Sequence, residues 1–284
     1  GTHSIASIQR SDLIQMMVGR PLDASSAARP LPRKEQAPAL LEVQGLSRAG
    51  VFDHIDFAIQ SGEILGLSGL VGAGRTEIAR AIFGLDPIDT GSITLDGQPM
   101  PEGFQIHHAI DRGMALVPED RQRQGLILPE SVEDNLSLPS LKAFSKLLSL
   151  DRDSRGKAAR GLIQRMGIKT AKPSSPAQSL SGGNQQKIVL GKWVYRQPRL
   201  FLLDEPTRGV DVGAKEEVHR MIRTLARSGS AILLISSDMP EILQLSDRIL
   251  VLCQGRIRGE VTGSQATAKQ LLEWALPPER PDAA

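Results

Sequence analysis

Apolar residues along this chain fall into recognisable periods. Leu41-Glu42-Val43-Gln44-Gly45-Leu46 alternates apolar and polar positions, and the stretch from Ile55 to Ile59 alternates again. Each predicts a half-buried strand. Glu63-Ile64-Leu65-Gly66-Leu67 predicts a more buried one. Ser92 to Leu95 followed by Asp96-Gly97 reads as strand then turn, and Met114 to Val117 is a short apolar run. Leu200-Phe201-Leu202-Leu203 and Ala231-Ile232-Leu233-Leu234-Ile235 are apolar throughout. Continuous runs of this length are strands covered on both faces, as in a parallel sheet flanked by helices. Helical segments between them supply the crossovers. From about Ser131 to Arg165 the pattern is helical and rich in Leu, Lys and Arg. Arg248 to Leu252 and Arg256 to Val261 predict late antiparallel strands, and a last helix is expected from Thr267 to Ala275. The fold class is therefore α/β.

The periods also divide the chain. Ser11 to Val18 predicts a short helix with Ser or Asp as its cap, either the end of a preceding domain or a frayed terminus. Residues 20–38 are rich in Pro, Ala, Ser and Arg, which marks a linker. A main domain runs over 39–276, and residues 277–284 form a tail.

Composition narrows the function classes. Aromatic residues make up 3% and the formal net charge is +2, which argues against nucleic acid as a partner. Cys253 is the single cysteine, so a disulfide framework is excluded and core packing is its expected role. No apolar run approaches the roughly 18 residues that span a bilayer. His54, His107, His108 and His219 show no metal-ligand spacing with a cysteine.

Chemistry gathers in three places. Gly69-Leu70-Val71-Gly72-Ala73-Gly74-Arg75-Thr76 follows a buried strand and opens a helix. Gly69, Gly72, Ala73 and Gly74 let backbone N–H groups turn inward around phosphates, with the helix N-terminus behind them. Thr76 offers a hydroxyl for Mg²⁺, but Arg75 stands where this motif wants lysine. The competing reading is a Gly-rich turn that binds nothing. The second place is the end of the 200–203 strand, which delivers Asp204-Glu205-Pro206-Thr207. Asp204 suits a water-linked Mg²⁺ and Glu205 suits polarising an attacking water. Otherwise they are solvated charges at a strand end. The third place is Leu180-Ser181-Gly182-Gly183-Asn184-Gln185-Gln186-Lys187, ahead of an amphipathic helix with Ile188, Val189, Leu190 and Trp193. Ser181 is placed as an N-cap, and the glycines expose the first N–H groups, an arrangement suited to a γ-phosphate. Arg121-Gln122-Arg123-Gln124 reads as a solvated loop that near a nucleotide could carry phosphate or interdomain contacts.

In this order and spacing the three motifs resemble the ATP-binding-cassette (ABC) ATPases over about Leu40 to Ala275. The resemblance implies a P-loop NTPase core with a parallel sheet, an antiparallel β subdomain and a helical subdomain near 119–180. It implies ATP and Mg²⁺ as ligands, with Thr76 and Asp204 at the metal. It implies head-to-tail pairing of two cassettes, so that Ser181, Gly182, Gly183 and Asn184 serve a nucleotide held by the other one. Departures from a competent site are equally specific. Arg75 replaces the loop lysine, Glu119 stands at the expected glutamine, and Ser237 stands at the expected switch histidine. The adenine-stacking aromatic is missing, with Phe52 the only nearby candidate. Glu205 remains, as does Asp211 in the loop that usually reaches the partner domain.

These departures are similar to those of one subgroup, the C-terminal cassettes of tandem ATPases for bacterial monosaccharide import. That resemblance implies a preceding cassette ending in residues 1–19, transmembrane permease subunits near the Glu119 loop and the 131–165 segment, and indirectly a periplasmic binding protein. It places the chain at the cytoplasmic face of the inner membrane. Two other classes are weighed beside it: a soluble ABC ATPase that remodels ribosomes or DNA, and a regulatory nucleotide-binding module without hydrolysis.

Overall fold

The computed structural model describes residues 38–146 and 149–277. The predicted helix at 11–18, the linker but for Pro38, and the tail beyond residue 277 lie outside the described residues.

The chain begins with the antiparallel pair β1 (Ala39–Arg48) and β2 (Phe52–Gln60), then enters the buried β3 (Ile64–Gly69). After the glycine loop come α1 (Arg75–Ile82), β4 (Thr90–Leu95), β5 (Gln98–Pro99), α2 (Ile106–Asp111) and β6 (Met114–Val117). A π-helical turn, Arg121–Gly125, leads to α3 (Val132–Ser137). A 3₁₀ segment (Leu138–Phe144), the short strands β7 (Ser145–Lys146) and β8 (Ser149–Leu150), and α4 (Arg152–Arg165) follow. The remainder alternates: α5 (Gly182–Val194), β9 (Leu200–Asp204), α6 (Val212–Arg227), β10 (Ala231–Ile235), α7 (Met239–Leu245), β11 (Arg248–Cys253), β12 (Arg256–Thr262) and α8 (Ala268–Ala275).

Two main sheets result. A six-stranded sheet has the order β12-β11-β3-β10-β9-β6, with only the β12 edge antiparallel. A four-stranded antiparallel sheet has the order β2-β1-β4-β5. Every residue of β6, β9 and β10 is buried, which is why their sequences are apolar without alternation. The parallel register carries β3 and β9 to the same edge of the sheet, where the glycine loop and the Asp204-Glu205 pair emerge together. Ligands of open α/β sheets gather at such carboxyl ends. Trp193 fastens α5 beneath that edge. Its indole Nε1 donates to the Leu116 carbonyl at 2.9 Å, and its ring meets Phe83 edge-on at 6.1 Å.

The segment over 131–165 departs from the expected helical run. Ser131 starts α3 with a side-chain cap, accepting from the Asp134 N–H at 2.9 Å. Pro139 at the start of the following 3₁₀ segment lacks the N–H that would continue the α-helical ladder. A strand pair intervenes before Asp151 caps α4 by accepting from the Ser154 N–H at 3.0 Å. Composition is helical on both sides of a break that begins at Pro139 and is completed by the β7–β8 pair. Cys253 is buried at the end of β11, as expected. His107 is exposed on α2, and His108 accepts from the Gln105 N–H at 3.1 Å.

Candidate functional site

The glycine loop closes over the end of β3 because glycine alone fits there. A Cβ at Gly69 would stand 2.5 Å from the Leu252 carbonyl oxygen. Gly74 precedes α1 with φ of 100°, a left-handed conformation that costs other residues energy. The loop borders a cavity of about 480 Å³ whose walls include Gly72, Gly74, Thr76, Glu119, Glu205 and Ser237. That volume suits a small-molecule ligand.

Within this cavity the side chains are already engaged with one another. Arg75 is buried, and its Nη1 donates to the Ser236 carbonyl at 2.9 Å. Its Nη2 lies 3.9 Å from a Glu205 carboxylate oxygen. Burial pulls the Arg75 guanidinium below its ordinary value, opposed by the charges of Glu205 and Asp204. Burial pushes Glu205 up, while the Ser237 hydroxyl and the Arg75 charge pull it down. Ser237 Oγ donates to Glu205 at 3.1 Å. Glu205 itself holds a left-handed backbone with φ of 48°, its N–H bonded to the Ile235 carbonyl at 2.8 Å. Strain of this kind concentrates at functional sites. Glu119 pairs with the Arg208 side chain.

Asp204 differs from its neighbours. It is buried, its pKa is raised to about 6 by desolvation, and the Thr76 hydroxyl donates to it. Its Oδ1 is buried without a hydrogen-bond partner. A hydroxyl beside a carboxylate with one oxygen unspent is a hard, oxygen-only donor set, which fits Mg²⁺.

The signature stands apart. None of Ser181, Gly182, Gly183 or Asn184 lines the glycine-loop cavity. Ser181 occupies the N-cap position of α5 with extended backbone, yet its side chain makes no capping bond. The expected cap is corrected: Ser181 Oγ instead accepts from Asn184 Nδ2 at 2.9 Å, and Asn184 Oδ1 accepts from the Lys169 N–H at 2.8 Å. Asn184 takes the hydroxyl sideways, so the first N–H groups of α5 stay without a side-chain cap. Ser181 is exposed, whereas Gly183 is buried.

Phe52 is also corrected as a stacking candidate. It is 3% exposed, its ring spent on the core under β2. Asp211 caps α6 by accepting from the Ala214 N–H at 3.0 Å. Sequence reasoning missed the polar cluster behind it. The buried Glu241 accepts from Thr207 Oγ1 at 2.8 Å and meets His219 Nε2 at 2.7 Å, tying the 207–211 loop to α6 and α7. Glu241 and His219 sit on apolar-faced helices, and only buried polar type at core positions could have flagged them.

Comparison with known proteins gives this geometry its context. A 43% identical relative, ribose import ATP-binding protein RbsA 2 of Streptomyces coelicolor, aligns over 95% of this chain and 52% of its own length. The putative ribose/galactose/methyl galactoside import ATP-binding protein 1 of Rhizobium etli is 46% identical, over 93% of this chain and 49% of its own. The chain thus spans about half the length of the curated relatives it matches. Among solved structures, a nucleotide-free ATP-binding cassette from an ABC transporter superposes with a TM-score of 0.71 at 16% identity, covering 84% of this chain and all of that one. The ADP- and phosphate-bound dimeric cassette MJ0796 gives 0.67 at 18% identity, covering 78% of this chain and 98% of that one. These likenesses establish the ABC-type P-loop NTPase fold. No helix among the described residues is long and apolar enough to cross a membrane. The ABC transporter family model matches residues 52–208, from β2 through the glycine loop, the signature and the Asp204-Glu205 pair, and the chain belongs to that family.

Proposed function

We propose that this cassette is the C-terminal half of a tandem ATPase that powers import of a ribose-type sugar, and that its main contribution to turnover is the signature it lends to the other cassette. One observation carries the reading. Arg75 is folded back onto the Ser236 carbonyl beside Glu205, while Ser181 stands exposed outside that cavity. The ribose-import names of the relatives and their double length support the tandem arrangement. Exposed apolar side chains support a covered face: Val71 at the loop tip is 91% exposed, and Val212 at the start of α6 is 83% exposed.

Backbone N–H groups from Gly72 to Thr76 hold the phosphates of ATP. Thr76 and Asp204 would hold Mg²⁺, which would supply charge neutralisation at the phosphates. Arg75, held on the Ser236 carbonyl, stands where a competent loop has the compact lysine charge. Glu205 would polarise water, but its carboxylate is already engaged by Ser237 and faces the Arg75 guanidinium, and an attacking water must compete for those oxygens. Own-site hydrolysis is therefore slow in this reading. Ser181 and the open N-terminus of α5 complete the partner's site, where charge develops on the γ-phosphate. Closure of the two cassettes moves the permease subunits at the cytoplasmic face of the bacterial membrane, with a periplasmic binding protein delivering the sugar beyond them.

The test is ATP turnover of the full two-cassette protein with its permease. Ser181→Arg is expected to lower kcat at least about 100-fold, the scale of losing a transition-state donor. Arg75→Ala is expected to stay within about threefold of the parent, because it removes a side chain that the productive site does not use. Near-equal losses from the two changes overturn the asymmetry.

A further inference from the structure

Three loops meet at one side chain. Arg121 opens the turn that follows β6, and its Nη1 donates to the Arg208 carbonyl at 2.6 Å. Its Nη2 donates to the next carbonyl, Gly209, at 3.1 Å. A planar fork with parallel N–H bonds matches two successive carbonyls in a way no ammonium can. The signature loop leans on the same guanidinium. A Cβ at Gly182 would stand 2.6 Å from Arg121 Nη2 and 3.0 Å from the Gly209 carbonyl oxygen. Gly183 is pressed onto α6, where a Cβ would come 2.4 Å from the Ala214 methyl. The far side of the arrangement reaches the phosphate cavity. Glu119, two residues before Arg121, pairs with the side chain of Arg208, and both line that cavity.

We propose that Arg121 is a positioning residue for the signature. It fixes Gly182, and through it Ser181, against the 208–209 segment, so that the serine enters the other cassette's site at the place turnover requires. This rests on the reading that Ser181 to Asn184 serve that cassette's nucleotide. Arg121 touches no reacting atom in this role. Its influence on rate is geometric, and small misplacements of catalytic groups cost rate steeply. Its influence on stability is small. Arg208 and Gly209 are exposed, so water replaces the lost donors when the guanidinium is removed.

The experiment uses the full two-cassette protein with its permease and compares Arg121→Ala, Arg121→Lys and Ser181→Arg. Arg121→Ala is expected to lower kcat about tenfold while KM for ATP stays within about twofold, since nucleotide affinity comes from the partner's own loop. Its melting temperature is expected to match the parent. Arg121→Lys keeps the charge but spans one carbonyl at a time, and its kcat is expected to fall between the two. A parental kcat in Arg121→Ala, with Ser181→Arg abolishing turnover, overturns this inference and leaves the underlying reading standing. Turnover that survives Ser181→Arg removes both. If Arg121→Ala melts early, the lysine variant decides: a lowered kcat at parental melting temperature supports positioning, and a parental kcat overturns it.

Discussion

At the head of α1 the glycine loop leaves a cavity of about 480 Å³, and the chain's own charged groups are turned into it. At the head of α5 the glycines are packed so closely that a methyl group has no room, yet the serine before them stands in solvent. One helix start is internally engaged, and the other is closely packed behind an outward-facing serine. Identical elements, a glycine-rich turn feeding a helix, thereby acquire opposite dispositions toward a ligand. What separates them is the neighbouring side chain: the Ser236 carbonyl and Glu205 compete with an incoming phosphate for the Arg75 guanidinium, whereas Asn184 takes the Ser181 hydroxyl sideways and leaves the first N–H groups of α5 without a side-chain cap.

The widest gap is expected in turnover. Arg75→Ala and Ser181→Arg should differ in kcat by at least about 30-fold in the two-cassette protein, and a smaller ratio breaks the contrast. Next in size is a stability effect at the phosphate end. Burial raises Asp204 from 3.8 to about 6, so its stabilising share is complete below its unfolded value and is lost as pH rises through about 6. In nucleotide- and metal-free protein, Asp204→Asn should therefore be more stable than the parent by about 2 kcal/mol near pH 8, with no such gain near pH 4. Urea unfolding at both pH values measures this, and a pH-independent difference contradicts it. At the signature end, Gly183→Ala should cost about 1–3 kcal/mol through overpacking against Ala214, read from the same unfolding curves. An unchanged midpoint would show that α6 can yield there. The smallest effect is expected from Arg75→Lys, a few-fold tighter binding of ATP to the isolated cassette by calorimetry. Loss of binding would mean that the guanidinium, and not the loop backbone, holds the phosphates.

Much of the fold was legible because burial writes itself into sequence. β9 and β10 read as strands covered on both faces, and the glycine loop and signature were located by residue type alone. The legible features share one property: they depend on local backbone chemistry. The illegible ones depend on which distant group a side chain finds. Phe52 stands upstream of the glycine loop in sequence but points into the core, a choice made by the pairing of β2 with β1. Arg75 was visible as a departure, while its turn toward Ser236 needs β10 and β3 side by side. Arg121 belonged to a run that reads as solvated, and its fork finds carbonyls far along the chain. Over 131–165, helical composition hid the break at Pro139, because residue content persists where the hydrogen-bond ladder stops.

The crowding at Gly182 and Gly183 also bears on what a motif testifies to. Both glycines are required by this domain's own packing, against Arg121, Gly209 and Ala214. Replacing either one strains that packing whatever the chemistry nearby. Ser181 is different: its side chain is exposed, accepts only from Asn184 among the contacts described, and takes no part in the core. In a family member whose activity is in question, the serine is the letter that reports on a ligand from outside, and the glycines beside it report on architecture.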